Sequence, residues 1–204
     1  MAGTPPAAPA TRDTPVAGIL LFDQVEVLDF AGPYEVLAAS RDAAGAPAFR
    51  VLTIAARATV RCVGGLRVLP DTSLADCPPL DLLVVPGGPG AREPSPEQET
   101  TIPFIRQQAE RVQILASVCT GAFLLARAGL LTGRRATTHR DRLERLQAEF
   151  PDVRVERATV VDEGRIVTAA GVASGIDLGL HLLARWYGPD VRRSAARRLD
   201  GPWE

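Results

Sequence analysis

The sequence predicts an α/β fold in which helices cover both faces of a mostly parallel sheet. Short, mostly apolar runs recur at residues 16–22, 80–85 and 114–118, broken only by Asp81 and Ser117, without the in–out alternation of a half-exposed strand. Stretches of helical pattern separate them, the order expected of strands joined by crossover helices. One apolar run stops at a cysteine, in Ser117-Val118-Cys119-Thr120-Gly121, and a helix-like apolar run opens directly behind it. This strand–elbow–helix order is how an α/β enzyme lifts a nucleophile above its sheet.

Residues 1–14 are rich in Ala, Pro and Thr but have no apolar core. They do not form a signal peptide, and a disordered tail is expected there, with a single domain over 15–204. Residues 16–22 read as the first buried strand. A loop over 23–29 leads to a helix that begins at Ala31-Gly32-Pro33 and runs to about Ala39, with Pro33 suited to a first turn. Residues 49–55 read as a second strand. Residues 59–62 and 66–69, joined by Val63-Gly64-Gly65, read as a hairpin. The apolar strand at 80–85 ends at Pro86-Gly87-Gly88-Pro89-Gly90. Ser95-Pro96-Glu97-Gln98 resembles a helix capping box, but Pro103 interrupts the helical pattern behind it, so the main helix is expected from 103 to about 110. Residues 114–118 form the strand before Cys119. Arginines and glutamates interleave over 141–150, the pattern of a surface helix. Residues 153–161 and 166–168 read as a hairpin around Asp162-Glu163-Gly164. A long apolar helix over 173–187 and a basic helical tail to about 199 complete the chain.

A length of 204 residues suits one domain with a full core, and 46% hydrophobic residues is ordinary globular usage. The net charge of −1 predicts no bulk attraction to nucleic acid or membrane. All 23 basic residues are arginines, so Schiff-base lysine chemistry and a Walker-type phosphate lysine are excluded. No asparagine is present, so no N-glycosylation sequon exists. The three cysteines, Cys62, Cys77 and Cys119, are too few and too scattered for a disulfide framework or a zinc cluster. An odd count suits a reducing compartment, and the cytoplasm is the expected location. No apolar run approaches the ~20 residues of a membrane-spanning helix.

In such folds ligands bind outside the carboxyl ends of the strands. The loops after Phe22, Val85 and Val118 share that edge and carry Asp29, the Gly87-Gly88 pair and Cys119. Cys119 is the candidate nucleophile, with a helix N-terminus aimed at its sulfur to favour thiolate; the alternative is a buried packing cysteine. Asp29, flanked by apolar residues, is a carboxyl group that burial would keep protonated beside a thiolate, ready to deliver a proton; it also fits a helix-capping aspartate. Gly87 and Gly88 place unhindered N–H groups at a strand end, either an oxyanion or lone-pair site or a tight turn. The chain has two histidines. His181, within an apolar helix, reads as structural, while His139 either touches substrate or does not. Asp177, inside the same helix, needs a partner such as His139 or an arginine. Cys62 and Cys77 read as bystanders.

These residues carry a resemblance. From Val16 to about Tyr187 the chain resembles the ThiJ/PfpI superfamily, whose fold is flavodoxin-like and related to class I glutamine amidotransferases. It looks most like the isonitrile (isocyanide) hydratase branch, on the runs Leu28-Asp29-Phe30-Ala31-Gly32-Pro33, Val84-Val85-Pro86-Gly87-Gly88, Phe104-Ile105-Arg106-Gln107-Gln108-Ala109, Ser117-Val118-Cys119-Thr120-Gly121, Ala136-Thr137-Thr138-His139 and Gly171-Val172-Ala173-Ser174-Gly175-Ile176-Asp177. Protease-like and glyoxalase-like members carry a histidine directly after the nucleophile; Thr120 stands there. The branch uses aspartate as acid partner, and Asp29 matches. The resemblance implies Cys119 as nucleophile, Asp29 as acid/base, Thr120 as an orienting group, and Gly87, Gly88 and Val172 against the substrate. Arg140 departs from the branch, which has an aromatic residue after the Thr-Thr-His run, and Ala170 stands where the branch has a further glycine.

The expected activity is hydration of an isonitrile to an N-substituted formamide. Cys119 attacks the terminal carbon while Asp29 supplies the proton, giving a thioimidate that water resolves, with no metal or organic cofactor. The alternative is a non-enzymatic redox or small-ligand sensor built on a reactive Cys119. The branch also resembles the ligand-sensing domain of AraC-type transcription regulators, which carry a helix-turn-helix domain behind this fold. With the sequence ending at Glu204, a free-standing enzyme is expected, acting on a small molecule as a homodimer, with neither nucleic acid nor membrane as partner.

Overall fold

The computed structural model of the chain describes residues 14–203, so the tail expected over 1–14 lies outside the described residues apart from Thr14. The first half runs β1 (Val16–Leu21), α1 (Val27–Ala39), β2 (Arg50–Ala55), β3 (Val60–Arg61), β4 (Arg67–Val68), β5 (Thr72–Ser73), β6 (Leu82–Val85), α2 (Pro89–Arg92) and α3 (Gln98–Arg111). The second half runs β7 (Ile114–Val118), α4 (Gly121–Arg127), β8 (Arg135–Ala136), α5 (Leu143–Glu149), β9 (Arg154–Val155), β10 (Val160–Asp162), β11 (Ile166–Ala169), α6 (Ser174–Tyr187) and α7 (Pro189–Leu199).

A seven-stranded sheet in the order β10-β11-β7-β6-β1-β2-β5 forms the centre. Only β10 runs antiparallel to its neighbour; the other pairs are parallel. Strands β2-β1-β6-β7-β11 follow the flavodoxin-like order, with its switch of winding direction beside β1. The runs are mostly apolar because both faces are covered: β6, β7 and β11 are buried along their whole length. Helices α1, α6 and α7 pack together as one layer, while α2, α3 and α4 form another group of mutually packed helices. No helix among the described residues is long and apolar enough to cross a membrane.

The elements depart from expectation where local patterns mislead. Helix α1 starts at Val27, a turn earlier than Pro33 suggests, with Pro33 inside it. Helix α3 likewise continues through Pro103. The carbonyl that Pro103 leaves unbonded is that of Glu99, an exposed first-turn residue, where the loss is mild. The capping box does not form: Glu97 is the N-cap without a side-chain cap, and its Oε2 instead accepts from the Asp23 N–H at 3.1 Å. The run 153–161 is not one strand. Its start, β9, pairs in parallel with β8, and its end, β10, pairs with β11. Irregular backbone at 156–159 lies between them and turns Arg157 and Thr159 towards a cleft.

Candidate active site

Four adjacent parallel strands, β1, β6, β7 and β11, end at one edge of the sheet, and the segments behind them build the site. Cys119 follows β7 directly with a backbone φ of 54°, in the left-handed region, the strained turn of a nucleophile elbow. Two anchors hold the turn. The Cys119 N–H donates to the carbonyls of Ala169 and Ala170 at 3.0 and 2.8 Å, and the Thr138 hydroxyl donates to the Cys119 carbonyl at 2.7 Å. Gly121 permits the elbow, because a Cβ there would stand 2.1 Å from the Val85 carbonyl oxygen of the neighbouring strand.

Asp29 is fully buried in the first turn of α1. It is not the cap of that helix; Glu26 holds the cap position. Its Oδ2 accepts from the Gly87 N–H at 3.1 Å, its Oδ1 is buried without a hydrogen-bond partner among the described residues, and the carboxyl group lies near enough to the Cys119 thiol for each to shift the other's proton affinity. Burial, with a smaller push from the charge of Glu26, raises the Asp29 pKa to about 7 against the pull of its bonds to Cys119 and Gly87. Burial first, then the charge of Asp29, pushes the Cys119 thiol up to about 12, while the N–H and hydroxyl of Thr120 pull it down. The thiolate expected from the helix end is therefore not the resting form. The carboxyl group yields its proton first, leaving a carboxylate beside the thiol.

Thr120 is buried, and its Oγ1 accepts from the Gly88 N–H at 2.9 Å and faces the Gly88 carbonyl at 3.2 Å. Its single proton thus has two destinations, that carbonyl and the Cys119 sulfur. The N–H groups of Gly87 and Gly88, expected to be free for an oxyanion, are committed to Asp29 and Thr120. They position the acid and the hydroxyl instead. Val172 is half-buried in the segment between β11 and α6.

The elbow, its acid partner and the loops around them fall within the span of one sequence family. Residues 16–185 match the DJ-1/PfpI family. The chain belongs to the DJ-1/PfpI family. It is 40% identical over 186 residues to the isonitrile hydratase of Pseudomonas putida, an alignment covering 90% of this chain and 77% of that protein. It is 31% identical over 189 residues to the HTH-type transcriptional regulator GbdR of Pseudomonas aeruginosa, covering 92% of this chain and 51% of the regulator. The chain therefore spans about half the length of that relative. The crystal structure of a ThiJ/PfpI family protein from Pseudomonas syringae superposes with a TM-score of 0.80 at 25% identity, covering 98% of this chain and 84% of that one.

In this DJ-1/PfpI chain the structure adds Gly171 to the residues around the sulfur. A Cβ at Gly171 would lie 2.8 Å from Cys119 Sγ and 2.5 Å from His139 Cδ2. His139 thus borders the cysteine across a glycine. Its Nδ1 accepts from the Asp141 N–H at 3.2 Å, which leaves Nε2 as the protonated nitrogen of the neutral ring. His181 stands outside the site, 2.7 Å from Asp162, which also takes Arg185 at 3.0 Å. Asp177 is half-buried, and of its two expected partners, His139 or an arginine, it is an arginine, Arg192, whose charge acts on it. Among the described residues no cluster of His, Cys, Asp or Glu is arranged to hold a metal ion.

A cleft of about 400 Å³ opens beside the elbow, lined by Thr138, Arg140, Arg157, Thr159, Gly171 and Ser174 among others. Arg157 and Thr159 escaped the sequence reading, since within an alternating strand-like run nothing distinguishes them from solvent-facing strand residues. Gly171 carried a signal, the close-approach glycine in a run shared with the family.

Proposed function

We propose that the protein is an isonitrile hydratase-like lyase, with Cys119 as nucleophile and Asp29 as acid/base. The observation that carries the reading is an elbow cysteine beside a fully buried aspartate whose charge acts on its thiol, with Thr120 rather than histidine next in the chain. The 40% identity to an isonitrile hydratase supports it.

The chemistry follows from the proton arrangement. Asp29, as carboxylate, takes the thiol proton and passes it to the terminal isonitrile carbon as the sulfur bonds to that same carbon. The product is a thioimidate, S–CH=N–R, and nothing leaves. Asp29 then takes a proton from water as the water oxygen adds to the carbon, and the nitrogen takes that proton up. Collapse breaks the C–S bond, the hydroxyl proton returns to sulfur, and an N-substituted formamide departs. Thr120 steadies the sulfur while it carries negative charge. An Asp29 pKa of about 7 suits a group that accepts and donates within one cycle near neutral pH.

The test is formamide production from a simple alkyl isonitrile, followed by NMR. Turnover by wild type and its loss in Cys119→Ala support the reading. No turnover by wild type, or turnover kept by the alanine variant, refutes it.

A second reading, a redox or small-ligand sensor, draws on the 31% identity to a transcription regulator. It predicts selective sulfenic acid formation at Cys119 under mild peroxide without hydratase turnover. A homodimer is part of the proposal, to be checked by sedimentation.

A further inference from the structure

The cleft beside Cys119 contains two arginines from separate segments, Arg140 before α5 and Arg157 in the irregular stretch before β10. Both are exposed, and among the described residues neither guanidinium makes an ion pair or hydrogen bond. Among the described residues no carboxylate lines the cleft. Of the nearby acids, Glu156 faces Arg135 at 3.8 Å, and Asp141 is exposed with its Oδ2 3.8 Å from His139 Nδ1. The Thr159 hydroxyl, also on the cleft, has no partner among the described residues.

The cleft borders Cys119 across Gly171. Gly171, on its wall, leaves less room than a methyl group beside Cys119 Sγ, and Ala170 and Thr138, also on its wall, hydrogen-bond the Cys119 backbone. Two unneutralised guanidinium groups with a free hydroxyl, next to a nucleophile, form a recognition site for a planar anion.

We propose that the substrate carries a carboxylate, held by Arg140 and Arg157 in the cleft while its electrophilic carbon meets Cys119. This rests on the hydratase reading and narrows its substrate class to isonitriles bearing an acidic group. Arg140 and Arg157 become specificity residues, and the anion, not the apolar bulk of the substrate, sets its orientation.

The experiment compares kcat/KM for isocyanobutyrate and for its methyl ester, in wild type and in the Arg140→Gln/Arg157→Gln variant. The acid-to-ester ratio is expected to fall about tenfold in the variant and to fall with added salt. Arg111→Gln, the same charge change on an exposed site elsewhere, is expected to leave the ratio as it is. A ratio unmoved by the double substitution overturns the proposal. If wild type turns over neither compound, the hydratase reading fails, and the anion site is decided by alkylation of Cys119. The reagents are then the bromoacetamide of β-alanine and its primary amide: a rate ratio about tenfold lower in the double variant upholds the anion site, and an equal ratio overturns it.

Discussion

The carboxyl group of Asp29 and the thiol of Cys119 lie beside each other at the sheet edge and act on each other in opposite senses: the thiol pulls the Asp29 pKa down, while the charge of Asp29 pushes the thiol up. Burial of both groups and the charge of Asp29 place the pair's one negative charge near neutral pH on Asp29, whose pKa is about 7 against about 12 for the thiol. In the proposed reaction the nucleophile is therefore made by proton transfer to Asp29 when substrate arrives, not stored as a standing thiolate.

Replacing Asp29 by Asn separates two effects. It removes the negative charge that holds the thiol protonated, so alkylation of Cys119 by iodoacetamide at mildly alkaline pH is expected to speed up several-fold. It also removes the proton carrier, so hydratase turnover is expected to fall about 100- to 10,000-fold. Slower alkylation in Asp29→Asn would show that the aspartate activates the thiol in the resting state, contrary to this account.

The same carboxyl group makes stability depend on pH. Its pKa rises from an ordinary 3.8 to about 7 on folding, so the folded state binds this proton more tightly. The stabilisation is fully present below the unfolded-state value and is lost as pH rises through about 7. Denaturant melts between mildly acidic and mildly alkaline pH should show wild type losing stability, on the order of a few kcal/mol at most, and Asp29→Asn losing less.

Gly171→Ala tests the crowding around the sulfur. The new Cβ would meet Cys119 Sγ at 2.8 Å and His139 Cδ2 at 2.5 Å, so one or both must move. We expect turnover to fall by about a hundredfold from misplacement of the thiol, with a loss of roughly 1–3 kcal/mol in stability. Wild-type kinetics in this variant would mean that the site has slack.

Asp162 offers a contrast away from the site. Despite burial, bonds from His181 and the Gly164 N–H and the charge of Arg185 hold its pKa below the usual carboxylate range. Asp162→Ala should lower stability by about 1 kcal/mol, with the stabilisation in wild type disappearing as pH falls through the low carboxylate pKa. Cys119 alkylation should not change.

Much of this architecture is legible in the sequence because burial on both faces leaves a mostly apolar run at each central strand. The elbow is equally plain, since any Cβ at Gly121 would stand 2.1 Å from the Val85 carbonyl oxygen, and only glycine has none. The placement of Asp29, Gly87, Gly88 and Cys119 at one edge follows from strand order alone. Prolines misled at Pro33 and Pro103, where tertiary packing outweighs one lost hydrogen bond. Hydrogen-bond partners were not legible: that Gly87 and Gly88 serve Asp29 and Thr120 depends on loop geometry. Nor was the cleft, because Arg157 reaches it only through a break between strands that pair with different partners.

The central claim is that Cys119 carries the substrate covalently during hydration. Acid-quenching the enzyme during turnover of an isonitrile, then weighing the Cys119 peptide by mass spectrometry, tests it directly. The account predicts a peptide heavier by one whole isonitrile molecule, since S–H adds across the carbon and nothing leaves, reverting to the free thiol when substrate is exhausted. Formamide accumulating while the Cys119 peptide stays unmodified at every quench time would contradict it.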